Sequence, residues 1–89
     1  MVRYAPSSDV IAREVGGEEV LLDLESGTYF SLDAVGTAIW QAIEAAPRCV
    51  DDLCVVVTDA FDVAAEVARA DIAILIGDLV SRGLVEEVP

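Results

Sequence analysis

The chain has 89 residues, enough for one small domain with one core, and 55% of them are hydrophobic, which excludes a disordered protein. Five basic against seventeen acidic residues give a formal net charge of −12 at pH 7, which repels a nucleic-acid backbone and argues against DNA or RNA as a partner. The apolar runs fall far short of the ~20 residues of a membrane-spanning helix, and the start of the chain lacks a signal-peptide pattern, so we expect a cytoplasmic protein that does not enter a membrane.

The first third of the chain predicts three strands, which follow a loosely ordered lead-in over residues 1–9. Gly16-Gly17 is a two-residue turn between two runs that favour strands, and Ser26-Gly27 supplies the next turn. Consecutive strands joined by short turns pair as an antiparallel meander, and helices are then needed to cover one face of that sheet. The predicted strands are Val10–Val15, Glu19–Leu24 and Thr28–Ser31.

Three helices are predicted to follow the sheet. Asp33 can cap the first helix, which Pro47 ends, and the apolar positions between these two residues recur at helical spacing. The second helix contains the β-branched run Val55–Val57, which locally favours a strand, whereas the third has a regular core stripe and ends at Gly83. After Gly83 the chain either forms a short strand or simply tucks Leu84 into the core. The predicted helices are Ala34–Ala45, Val50 to about Phe61, and Val63–Ser81.

The side chains that catalysis or metal binding requires are scarce. The chain has no histidine, so the usual base for a serine or cysteine nucleophile is missing. Cys49 and Cys54 alone do not complete a tetrahedral metal site, and we expect both to be free and buried. Neither a phosphate-binding glycine loop nor a dinucleotide fingerprint occurs. We therefore expect a binding protein that is not an enzyme and that carries no metal and no cofactor.

Two stretches have the character of a binding surface. Residues 28–32 form a short strand that lacks the charge or proline usually found at a sheet edge, so an extended peptide could add to it; the alternative is that a helix covers this edge. One face of the third helix is half apolar and half acidic, although a wide core stripe and ordinary solvation would explain that face equally well. Its members, spaced four, three and four residues apart, are Val67, Asp71, Ile74 and Asp78.

The stretch VLLDLESGTYFSLDAVGTAIWQAIE at residues 20–44 resembles the PqqD-like family of peptide-binding domains, which are called RiPP recognition elements. The likeness depends on the glycine before an aromatic strand, the Leu32-Asp33 step into a helix and the Ile39-Trp40 pair. A weaker match is DIAILIGDLVSRGLV at residues 71–85, and the resemblance as a whole covers about Val10 to Val85. It implies an α+β, winged-helix-like fold, with a three-stranded antiparallel β-meander followed by three α-helices, and a recognition domain at residues 10–89.

The resemblance also implies a function. Members of the family bind the leader segment of a ribosomally made precursor peptide along the third strand and against the third helix, and other enzymes carry out the chemistry. The chain is most similar to the stand-alone, B1-type recognition proteins of lasso-peptide pathways, whose partners are a transglutaminase-like leader peptidase and a cyclase. The peptide-binding residues implied on this sequence are Thr28, Tyr29, Phe30 and Ser31 on the strand, and Val67, Asp71, Ile74, Leu75 and Asp78 on the helix.

Leaders in such pathways commonly carry basic residues, which suits an acidic partner, but three alternatives stay open. The nearest is PqqD itself, a peptide chaperone of quinone-cofactor biosynthesis. An acyl or peptidyl carrier is suggested by the size, the acidity and Ser31-Leu32 before a helix, but Phe30 stands where carriers have aspartate. A winged-helix DNA binder fits the shape and conflicts with the charge.

Overall fold

The computed structural model describes residues 1–89 throughout, as five strands and three helices. It confirms the predicted meander and the three helices that follow it, and with them the α+β class. Each end of the chain contributes one further strand, and these two strands form a separate sheet. The elements are β1 Arg3–Pro6, β2 Val10–Val15, β3 Glu18–Asp23, β4 Tyr29–Ser31, α1 Ala34–Ala45, α2 Val50–Ala60, α3 Ala65–Ser81 and β5 Val85–Val88.

The three-stranded sheet has the order β2-β3-β4, and both pairings are antiparallel. Gly16 and Gly17 take φ angles of 62° and 88° at the β2–β3 turn, a region of backbone conformation that side chains disfavour. The pairing register aligns side chains in rows across the strands, one row facing the helices and one facing outward. The inward row is Ala12, Leu21 and Phe30, and the outward row is Ile11, Leu22 and Tyr29.

The first helix, α1, packs against β3 and anchors the core. Trp40 on this helix is 1% exposed, and it shares one buried cluster with Leu21 of β3 and Ile72 of α3. At the start of the helix, the N–H of Gly36 donates a hydrogen bond to Asp33 Oδ1 at 2.8 Å, so the predicted cap is confirmed. The meander therefore leads into a helix that folds back over the inner face of the sheet.

The two ends of the chain are more ordered than the sequence suggests. The prediction of a loosely ordered lead-in is wrong for residues 3–6, which form β1 and pair antiparallel with β5. Tyr4 also exchanges two backbone hydrogen bonds with Arg48, at 2.7 and 3.0 Å. After α3, β5 forms and Leu84 is buried as well, so both outcomes considered for the tail occur together.

The helix bounds agree with prediction to within two residues, the largest difference being that α3 begins at Ala65. The β-branched run Val55–Val57 is helical, because the buried side of α2 packs against α1 and α3 and this packing outweighs local propensity. Cys49 and Cys54 are both free and buried, as expected. None of the three helices combines the length and the apolar character needed to cross a membrane.

Candidate functional site

Strand β4 lies at the edge of its sheet, and its hydrogen bonds indicate which backbone groups remain free there. The N–H of Asp23 donates to the carbonyl of Thr28 at 2.9 Å, which makes these two residues a hydrogen-bonded pair. Bonded and non-bonded pairs alternate along antiparallel strands, so Phe30 also turns its backbone groups toward β3. Tyr29 and Ser31 therefore turn their N–H and carbonyl groups toward the open edge.

The four residues expected on the strand side of the site occupy different positions. Thr28 precedes β4, and its hydroxyl lies 2.7 Å from Ser26 Oγ in the turn. Phe30 is half-buried on the inner face, Tyr29 is 69% exposed on the outer face, and Ser31 is exposed. Tyr29 and Ser31 thus offer backbone groups for pairing, whereas Phe30 offers its side chain on the helix side.

The five residues expected on α3 form a largely exposed flank. Val67, Asp71, Ile74 and Asp78 are exposed, and Leu75 is half-buried against the core. Ile74 is 73% exposed, which excludes the alternative that it belongs to a wide core stripe. Val67 lies near the start of the helix, roughly 16 Å before Asp78 at a rise of 1.5 Å per residue, so the flank follows most of α3.

Arg82 connects the end of α3 to β4, and it is not among the site residues that the family resemblance implies. Its Nε donates to Asp78 Oδ1 at 3.0 Å, and its guanidinium carbon lies 4.8 Å from the centre of the Phe30 ring, within cation–π range. The arginine side chain therefore links the end of α3 to Phe30 of β4. The sequence signal for this role is the four-residue spacing between Asp78 and Arg82, which continues the same helix flank.

A cavity of about 230 Å³, which we call the edge cavity, lies where β4 and the end of α3 meet. Its walls combine apolar and aromatic surface with one guanidinium, one carboxylate and two hydroxyl groups of the β3–β4 turn. None of the five residues expected on α3 lines it. Its helix-side wall is Arg82, directly after α3, so the concave part of the site lies at the C-terminal end of that helix. The lining residues are Asp23, Ser26, Thr28, Tyr29, Phe30, Arg82 and Leu84.

The outer face of the same sheet is uncovered and largely apolar, and it holds a shallow cavity of about 390 Å³. Tyr29 links this face to the β4 edge, because its backbone lies at the edge while its side chain lies on the outer face. The outer face and the edge are therefore one continuous surface. The residues that line the outer face are Ile11, Arg13, Val15, Val20, Leu22 and Tyr29.

Two ion pairs organise the charge on α3. Arg82 pairs with Asp78 at the site, and Arg69 pairs with Asp51 of α2. The pKa of Arg69 is raised, chiefly by its hydrogen bond to Asp51 and then by the charge of the same carboxylate. Asp71 takes part in neither pair, so the helix flank keeps one unpaired carboxylate and, at its far end, one neutralised pair.

These features define a class of protein: a winged-helix-like α+β domain that presents an open, uncharged strand edge beside a helix. The chain belongs to the PqqD family, described as Coenzyme PQQ synthesis protein D, which matches residues 18–85. The resemblance inferred from the two sequence motifs is thereby confirmed. A search of the curated proteins finds no match.

Two solved structures share the fold over nearly their whole length. One is described as TbiB1 in complex with the TbiA(beta) leader peptide; it is 29% identical, with a TM-score of 0.85 over 92% of this chain and 94% of that one. The other is described as lasso peptide synthetase B1 complexed with the leader peptide; it is 24% identical, with a TM-score of 0.81 over 97% of this chain and 98% of that one. At its lower identity, the second likeness concerns the fold alone.

Proposed function

We propose that the chain is a non-catalytic recognition protein of lasso-peptide biosynthesis, which binds the leader segment of a ribosomally made precursor peptide by strand addition. The observation that carries this proposal is the open edge of β4, where Tyr29 and Ser31 direct unpaired backbone groups outward. Two further findings support it: membership of the PqqD family, and the fold shared with TbiB1, which was solved with a leader peptide.

In the proposed complex the leader pairs with β4 and rests every second side chain against α3. Successive side chains of a strand point to opposite faces, so alternate leader residues lie beside Phe30 and the helix flank. Ile74 and Leu75 supply apolar contact there, and Asp71 supplies an unpaired carboxylate for a basic leader residue. The net charge of −12 adds long-range attraction for a basic peptide.

Delivery to the processing enzymes completes the proposed role. The partners are a transglutaminase-like leader peptidase and a cyclase, which act on the core segment while the leader stays bound. The outer face of the sheet supports this role, because an enzyme can contact it without displacing a leader from the edge. Precursor cleavage by the peptidase should accelerate as this chain is added and then reach a plateau; a rate that does not depend on the chain would contradict delivery.

Proline at position 29 tests strand addition directly. The N–H of Tyr29 faces the open edge. Tyr29→Pro therefore removes a donor that would bond to the leader, and it removes no hydrogen bond from the β3–β4 pairing. The probe is a fluorescein-labelled leader from the precursor encoded beside this chain. We expect its affinity, measured by anisotropy, to fall at least about tenfold while far-ultraviolet circular dichroism stays unchanged.

Glu14→Pro is the matched control, on the opposite edge of the sheet. The N–H of Leu24 donates to the carbonyl of Asp9, and alternation along β2 then directs the N–H of Glu14 away from β3. This variant should bind the leader as tightly as the unaltered chain does. Equal affinities of the two proline variants for the leader would contradict strand addition at β4.

A role in quinone-cofactor biosynthesis is the second candidate, favoured by the family description, Coenzyme PQQ synthesis protein D. The two roles differ in the peptide that is bound. Competition between a lasso leader and a PQQ precursor peptide for the same protein separates them, because the cognate peptide should displace the other at lower concentration. Preferential binding of the PQQ precursor would replace the lasso assignment and leave strand addition intact.

A further inference from the structure

Building on the proposed function, we infer that Arg82 forms a carboxylate-binding subsite, which holds an aspartate or glutamate side chain of the leader as the leader passes Phe30. Arg82 and Phe30 both line the edge cavity, so the subsite lies within the proposed binding site. Net charge alone predicts a leader that is basic throughout. The subsite instead requires one acidic residue at a defined place, and it thereby fixes the register of the leader on β4.

The guanidinium group of Arg82 is held in place and still has donors to spare. Its Nε donates to Asp78 at 3.0 Å, and its carbon lies 4.8 Å from the centre of the Phe30 ring. The side chain nevertheless remains 51% exposed, and neither terminal nitrogen has a hydrogen-bond partner within the chain. Those two nitrogens form a parallel pair of donors, which matches the two oxygens of a carboxylate.

Strand addition brings a leader side chain to this guanidinium group. The backbone groups of Tyr29 and Ser31 pair with the leader, so the leader residue that lies between these pairings is directly beside Phe30. Side chains of neighbouring strands that share a face lie about 5 Å apart at Cβ, within reach of a carboxylate. Because Arg82 stacks on the ring of Phe30, an inward-pointing aspartate or glutamate at this place meets its terminal nitrogens.

The other charged group around the edge cavity does not compete for the leader. Asp23 is the only carboxylate in the lining, and each of its oxygens already accepts one hydrogen bond from the β3–β4 turn. One accepts from the N–H of Glu25 at 3.1 Å, and the other accepts from the hydroxyl of Ser26 at 2.9 Å. Asp23 therefore stabilises the β3–β4 turn. Arg82 is paired through its Nε with Asp78, and its two terminal nitrogens are the donors left to recognise a ligand.

A displayed library of random peptides of about twelve residues tests the subsite without a known leader. Peptides selected on the unaltered protein should be enriched in aspartate or glutamate at one position. Selection on Arg82→Glu should favour lysine or arginine at that same position, and Arg82→Gln should show no charge preference there. A synthetic peptide whose acidic residue is replaced by its amide should bind the unaltered protein about tenfold more weakly and bind Arg82→Gln equally well.

Arg3→Glu is the control for overall charge, because Arg3 lies on β1, outside the edge cavity, and its replacement changes the net charge by the same amount. It should select the same peptides as the unaltered protein. Enrichment of acidic residues that persists on Arg82→Glu, or no positional charge preference on the unaltered protein, would overturn the subsite.

Tyr29→Pro distinguishes failure of the subsite from failure of the proposed function. Selected peptides that lose affinity for this variant use the β4 edge. If the charge preference of those peptides does not change when residue 82 is replaced, only the subsite is wrong. Selected peptides that bind Tyr29→Pro as tightly as the unaltered protein do not add to β4. In that case strand addition is wrong, and the subsite, which depends on strand addition, is wrong as well.

Discussion

Thr37 carries one of the few polar contacts within the core. The buried N–H of Glu19, at the start of β3, donates to the Thr37 hydroxyl at 2.9 Å and so ties the sheet to α1. Thr37→Val keeps the shape and removes the acceptor, which leaves a buried donor without a partner. We expect the free energy of unfolding to fall by about 2 kcal/mol in urea titrations.

Thr58→Val is the matched comparison for that substitution. The Thr58 hydroxyl donates to the carbonyl of Cys54 on the same helix, so its loss leaves no buried N–H unpaired. The change in unfolding free energy should stay within about 0.5 kcal/mol. Equal losses of unfolding free energy in the two variants would mean that the hydrogen bond between β3 and α1 adds no stability beyond that of an ordinary threonine hydroxyl.

Ile74 is an exposed apolar residue on a highly charged protein, and in the proposed complex the leader packs against it. Ile74→Glu replaces apolar contact with a charge that repels an acidic leader residue and disrupts packing against any other. We expect leader affinity to fall at least about tenfold in the anisotropy titration, with stability unchanged because Ile74 is 73% exposed.

The control for Ile74→Glu is Ala73→Glu, which adds the same charge about 100° around the helix. Ala73 is also exposed, and it lines a shallow pocket beside Tyr4 and Val50, away from β4. This variant should retain leader binding. Similar losses of affinity in both variants would indicate repulsion by overall charge and would argue against a groove along the flank of α3.

Single residues also mark the limit of what the sequence predicts about the site. Helical spacing placed Ile74 and Asp71 on one exposed flank, because periodicity is a local property. The proposed role of Arg82 depends on its stacking against Phe30, which lies 52 residues away in the chain, and only the folded structure brings the two together. For the same reason, the sequence could not tell that the carbonyl of Thr28 already accepts from β3 and that its N–H donates to Ser26 Oγ in the turn.

At the scale of elements, β1 is the strand whose contribution is least evident from the sequence. It pairs with β5 along its whole length, and Tyr4 adds two hydrogen bonds to Arg48. Deletion of residues 1–6 removes these contacts and uncovers part of the core, so we expect a loss of unfolding free energy on the order of 2–4 kcal/mol. Under conditions in which the shortened chain is fully folded, its affinity for the leader should not change, because β4 belongs to the other sheet.

Deletion of residues 1–2 alone is the control, because both residues precede β1 and are exposed. Its unfolding transition should coincide with that of the full chain. If deletion of residues 1–6 also left the transition unchanged, the β1–β5 sheet would contribute nothing to stability.

The contrast between β1 and the other elements has a physical cause. The Gly16-Gly17 turn and the Asp33 cap act on their immediate neighbours, so the meander and α1 can be predicted from short stretches of sequence. β1 is four residues without alternation, and its partner lies at the opposite end of the chain. Its conformation is set by a long-range pairing, which no window of local sequence contains.

At the scale of the whole molecule, charge opposes the folded state and favours the proposed ligand. Seventeen acidic residues share a body of 35 × 33 × 20 Å, and only two ion pairs offset them. At about 10 mM salt the screening length is about 30 Å, comparable to the molecule, so most carboxylates repel one another. A basic leader reduces this repulsion when it binds, which adds to its affinity at low salt.

Salt should therefore change folding and leader binding in opposite directions. Raising NaCl from about 10 mM to about 150 mM shortens the screening length to about 8 Å, and we expect the free energy of unfolding to rise by about 1 kcal/mol as self-repulsion weakens. Over the same range the affinity for a basic leader should fall. Urea titrations and anisotropy at each salt concentration measure the two quantities, and KCl should reproduce both curves if screening is the cause. A free energy of unfolding that falls with salt would show that attraction within the fold outweighs repulsion among the carboxylates. A leader affinity that rises with salt would mean that apolar contact, and not charge, dominates recognition.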